Sequence, residues 1–90
     1  MTDTERVQVR DGAAVWREID GEVVLLALDS STYLGLNTTG AVLWPVMLEG
    51  TTRTEMVDVL TSQFDVTPQQ AAADVDAFVA ACHERKLLAT

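Results

Sequence analysis

Cys82 and His83 are the one cysteine and the one histidine in this chain, and so its best candidates for nucleophilic or metal chemistry. Their placement argues against both. Adjacent residues on a helix diverge by about 100° around its axis, so the pair cannot readily share a metal ion or form a dyad. Cys82 reads as a small buried hydrophobe, and His83 as a cation suited to the negative end of a helix. Asp74 and Asp76 lie two apart and project from different sides of the same helix. They read as a solvated face, one of them open to a basic group of a partner. Gly35 and Gly40 match neither phosphate-loop nor dinucleotide spacing. Catalysis needs a nucleophile beside a base, paired carboxylates or a metal cage, and the chain is read as non-catalytic, with no cofactor and no metal.

The chemistry that remains is that of the main chain. The stretch "STYLGLN" (Ser31 to Asn37) alternates like a short strand, yet carries no charge and no proline and holds a glycine. Soluble proteins usually blunt exposed strand edges with lysine, proline, charge or bulges. Here the free N–H and C=O groups are unguarded, and Gly35 lets another backbone come close. Such an edge beside an apolar helix suits an extended peptide that adds as a further strand. A covered edge, or a dimer paired edge to edge, would explain the same pattern.

Strand-like segments fill the first half of the chain and helical ones the second, which predicts an α+β domain spanning residues 1–90. "AVWREI" (Ala14 to Ile19) and "EVVLLAL" (Glu22 to Leu28) flank Asp20-Gly21, a dipeptide suited to a two-residue type I′ turn. "DSS" (Asp29 to Ser31) turns again into Thr32 to Leu36, giving a three-strand antiparallel meander with Glu22 to Leu28 in the centre. "VQV" before Asp11-Gly12 can add a short strand. In this register Trp16 shares a face with Leu25, and Val15 shares the other with Leu26. Both faces are therefore apolar: one covers the helices, and the other is either covered by the N-terminal segment or part of an interface.

Three helices are expected to follow. Asn37 caps the first, about Thr38 to Glu49, with a bend or a late start at Pro45. Thr52-Arg53-Thr54-Glu55 fits a capping box, after which Met56, Val57, Leu60 and Phe64 share a face. Thr67-Pro68 opens the third helix, where Ala71, Val75, Phe78, Val79 and Cys82 recur at three- and four-residue spacing. Leu87 and Leu88 then fold back onto the core.

Fourteen acidic and six basic side chains give ninety residues a net charge of −8, the wrong sign for neutralising nucleic-acid phosphates. The longest apolar run, "VVLLAL", is far short of the roughly 20 residues that span a bilayer. The N-terminus lacks the features of a secretory signal, and one cysteine forms no internal disulfide. These observations predict a cytoplasmic protein with neither nucleic-acid nor membrane partners.

From Leu28 to Leu88 the sequence resembles the PqqD-like family, the precursor-peptide recognition elements of ribosomally made, modified peptides. The resemblance, which extends over about Val15 to Leu88, rests on Tyr33-x-x-Leu36-Asn37-x-x-Gly40, Trp44 near the end of the first helix, and Gly50-Thr51 before the second. Asp74-Val75 followed by Ala77-Phe78, and the closing Leu87-Leu88, complete the pattern. It implies a winged-helix-like sheet and three helices that bind a leader peptide antiparallel to the third strand, in a groove with the third helix. Position by position, it implies a strand site of Thr32, Tyr33, Leu34, Gly35 and Leu36 and a helix site of Asp74, Val75, Phe78, Val79 and Cys82.

Where the quinone-cofactor branch has a "YPEG"-like stretch this chain has "LDSS". A short, acidic chain without a fused catalytic domain looks most like the recognition protein of lasso-peptide clusters. That likeness implies partnership with a precursor leader, a cysteine-protease-like leader peptidase and an ATP-dependent macrolactam synthetase. The competing readings are a PqqD-like chaperone of another modified-peptide pathway, a winged-helix regulator binding DNA or a transcription partner, and a structural homodimer.

Overall fold

The computed structural model describes residues 6–89. Two short strands and a three-stranded sheet combine with three helices, in the order β1 (Arg6–Val7), β2 (Ala14–Ile19), β3 (Glu22–Ala27), β4 (Thr32–Leu36), α1 (Thr38–Glu49), β5 (Thr51–Thr52), α2 (Arg53–Gln63), α3 (Pro68–Glu84). The larger sheet is the antiparallel meander β2-β3-β4 with β3 in the centre, so the expected α+β architecture is present. Asp20 and Gly21 both take positive φ, 54° and 82°, as a type I′ turn requires.

The pleat sorts the side chains. Val23, Leu25 and Ala27 of β3 are buried against the helices, beside Leu43, Trp44 and Met47 of α1 and Met56 and Leu60 of α2. Trp16 closes the edge of this core, its ring 6.4 Å from that of Trp44 at an interplanar angle of 77°. Leu87 and Leu88 do fold back into the core.

All three helices start on side-chain caps. The Asn37 side chain accepts from the Gly40 N–H, Thr52 and Glu55 form a reciprocal capping box, and Thr67 accepts from the Gln70 N–H. Pro45 does not delay α1, which runs from Thr38 with the proline inside it. The ring sits on the solvent side, where the carbonyl it leaves unbonded can meet water. The turns around it bury Leu43, Trp44 and Met47, which offsets a cost of about 3 kcal/mol.

From Arg6 onward the N-terminal segment lies elsewhere than on the outer sheet face. Arg6–Val7 pairs with Thr51–Thr52, and Val9 bridges to Leu88. Main-chain bonds from Val9 N–H to the Met47 carbonyl (2.9 Å) and from Arg10 N–H to the Leu87 carbonyl (2.7 Å) hold it against the helices. Among the described residues no segment covers the outer face, where Val15, Ile19 and Tyr33 are exposed. No helix among the described residues is long and apolar enough to cross a membrane.

One ion pair ties α2 to α3: the Arg53 guanidinium donates to both Asp76 oxygens, at 2.8 and 3.1 Å. That hydrogen bonding holds the Asp76 carboxyl below its ordinary 3.8. A lowered carboxylate pKa contributes stability that is present above the unfolded value and lost as pH falls through the folded one. Both groups are substantially exposed, which limits the pair to at most about 1 kcal/mol. Thermal melts of wild type and Asp76→Asn should differ slightly at pH 7 and converge below pH 3.8. Identical melts at both pH values would show that the pair contributes nothing.

Candidate functional site

The β2–β3 turn determines which main-chain groups are free on β4. A two-residue turn makes Ile19 and Glu22 a pair that exchanges both hydrogen bonds, and such pairs alternate along an antiparallel ladder. The bond from Leu28 N–H to the Ala13 carbonyl, 2.9 Å, keeps this alternation. Glu22, Val24 and Leu26 thus direct their polar groups at β2, and Val23, Leu25 and Ala27 direct theirs at β4. The partners of these three on β4 are Leu36, Leu34 and Thr32. Tyr33 and Gly35 are left with N–H and C=O pointing away from the sheet, and no strand among the described residues pairs with that edge.

Beside this edge runs a groove of about 280 Å³ between β4 and α3. Leu34, Gly35 and Leu36 form one wall, and Asp74, Phe78 and Cys82 are part of the other. Phe78 leans on α1 at Gly40, where an added Cβ would lie 3.1 Å from its ring. Glycine there lets α1 and the Phe78 ring of α3 approach closely.

Among the residues expected to form a site, Leu34, Gly35, Leu36, Asp74, Phe78 and Cys82 come together here. Tyr33 and Thr32 do not line the groove; the Tyr33 side chain, 73% exposed, stands on the outer sheet face. Thr32 begins the strand, its hydroxyl donating to the Ser30 carbonyl at 3.1 Å. Val75 and Val79 instead line a cavity of about 480 Å³ on the far side of α3, with Val7, Met56 and the Arg53–Asp76 pair. The groove also takes in Asn37, Thr39, Ala77, Ala81, Arg85 and Leu87. The spacing 74, 77, 78, 81, 82, 85 is a helical face of its own, and its small alanines were the available signal for it.

A clamp links the two sides of the groove at one end. Arg10 donates to the Asp29 carboxylate at 2.7 Å, in the β3–β4 turn, and to the Lys86 carbonyl at 2.7 Å, just past α3. It thereby joins the start of β4 to the end of the helix opposite. Lys86 takes φ 59°, and the Leu87 N–H reaches back to the Cys82 carbonyl at 3.0 Å, a Schellman-type stop that turns Leu87 into the groove floor.

The site holds no catalytic constellation. Among the described residues no cluster of His, Cys, Asp and Glu is placed to hold a metal. Burial pushes the Cys82 thiol up to about 11 from an ordinary 9.0, making it an apolar lining group rather than a nucleophile. At pH 8 this leaves about a hundredfold less thiolate than an unperturbed thiol. Iodoacetamide should accordingly alkylate the native chain far more slowly than the chain in urea. Equal rates would show that the thiol is exposed.

The fold is shared with proteins of known kind. The family described as coenzyme PQQ synthesis protein D (PqqD) matches residues 22–88. TbiB1, solved in complex with the TbiA(beta) leader peptide, superposes with a TM-score of 0.81 at 34% identity, over 91% of this chain and 94% of that one. A lasso peptide synthetase B1 complexed with the leader peptide superposes with a TM-score of 0.78 at 26% identity, over 93% of this chain and 98% of that one. A search of curated proteins finds no match. With the family pattern running from the central strand of the meander through the returning leucines, the chain belongs to the PqqD family.

Proposed function

We propose that this chain is a non-catalytic adaptor that captures the leader of a ribosomally made precursor peptide, of the lasso class, as a fourth strand along β4. The observation that carries this is the outward N–H and C=O of Tyr33 and Gly35, open beside an apolar groove. The likeness to two proteins solved with leader peptides supports it. Leu34, Leu36, Asp74, Phe78 and Cys82 would receive side chains; Thr32, Tyr33 and Gly35 would serve through the strand itself, and Val75 and Val79 would back the helix from behind.

Binding orders the leader and raises its effective concentration at a partner enzyme. In this reading the partner is a cysteine-protease-like leader peptidase, followed by a macrolactam synthetase, and the assembly works in the cytoplasm. The test is a fluorescence-anisotropy titration with a labelled leader encoded beside this chain's own gene. Saturable binding is expected, weakened about tenfold by Phe78→Ala, which empties an apolar wall. Absence of saturable binding to that leader by the folded protein would end the proposal.

A further inference from the structure

The two ends of the β4 groove carry opposite charges. Phe78 sits by Asn37 and Leu36, so the N-terminal half of α3, with Asp74, lies at the C-terminal end of β4. Arg85 shares a recess with Asp29, Ser30 and Lys86, which places it at the strand's beginning. Asp74 is half-buried and Arg85 exposed, and neither has an ion-pair partner among the described residues. Glu84 and Lys86, of opposite charge, also border the Arg85 end. Eleven residues of helix separate Asp74 and Arg85, about 16 Å, and side chains four residues apart on an extended strand, about 13 Å, reach both ends when they are long.

We propose that Asp74 and Arg85 fix the direction and register of the captured strand by selecting a basic side chain at its start and an acidic one four residues later. This rests on β4 being the dock. An incoming strand is hydrogen-bonded opposite Tyr33 and Gly35, so its residues opposite Leu36, Leu34 and Thr32 face the groove. Antiparallel pairing is the more stable choice and continues the sheet. The first groove-facing residue then lies beside Phe78 towards the Asp74 end, the second meets the apolar stretch by Cys82, and the third lies at the Arg85 end. The selected pattern is basic–x–apolar–x–acidic. A strand slipped by two residues forfeits one charge match, and a reversed strand brings like charges together at both ends.

A phage-displayed library of random twelve-residue peptides tests this, selected on wild type, on Asp74→Lys/Arg85→Glu and on Gly35→Pro. Wild type should enrich the basic–x–apolar–x–acidic pattern and the charge-exchanged variant its mirror. A synthetic peptide of the wild-type pattern should bind wild type about tenfold more tightly than its charge-exchanged twin, with the preference inverted in the variant and shrinking in high salt. Asp74→Asn/Arg85→Gln should lose the preference without inverting it. Peptides that need Gly35 but show no charge pattern, or one indifferent to the exchange, would overturn the inference and leave the dock standing. Peptides indifferent to Gly35→Pro, or no enrichment at all, would overturn both.

Discussion

Trp44→Ala is expected to destabilise the fold by about 3–5 kcal/mol, the usual cost of emptying a buried tryptophan site. The side chain has no exposed surface, and it meets Trp16 edge to face from the middle of the core. A chain of this size has little to spare: domain stabilities run from about 5 to 15 kcal/mol, and short domains sit low in that range. The urea midpoint should drop by more than half, with Trp16 left as the fluorescent reporter. Trp44→Phe should cost only about 1–2 kcal/mol, because the ring still fills most of the volume and the indole N–H has no acceptor among the described residues. An alanine variant that melts with wild type would remove Trp44 from the core.

Local signals made much of this fold legible. Asp20-Gly21, the Thr52–Glu55 box and Thr67-Pro68 act within four residues, and each lies where the sequence puts it. The vacant edge could be read from the absence of charge in Ser31 to Asn37. Long-range features left no such trace. The short strand expected over "VQV" overlaps β1 at Val7 and the bridge from Val9 to Leu88, whereas β5 has no periodicity to detect. Arg10 reaches partners 19 and 76 positions away, and nothing around it marks it as a clamp. The stop of α3 was hidden because Lys86 occupies a left-handed position that usually favours glycine. The resemblance carried Val75 and Val79 into the expected site, although their apolar spacing reports the packed side of the helix. A groove lined by Ala77 and Ala81 is apolar without being bulky, so that face was the less visible one.

Gly35→Pro is expected to weaken leader binding about a hundredfold or more while leaving the fold nearly unchanged. Proline removes the N–H and places its ring along the strand edge. In most strands this would break the internal ladder, but here the bonds to β3 run through Thr32, Leu34 and Leu36, so the lost donor is one that points outward. A side chain at Gly35 also meets no heavy atom within 4 Å, and edge strands tolerate proline where the N–H faces solvent. Stability should therefore change by less than about 1 kcal/mol. Gly35→Ala is the matching control: it keeps the N–H and adds a methyl group on the open outer face, so it should bind almost as wild type does. A folded proline variant that binds normally would show that the leader does not pair with β4. Severe unfolding would show instead that the Gly35 N–H belongs to the β3 ladder, and the assignment of outward groups would then pass from Tyr33 and Gly35 to their neighbours.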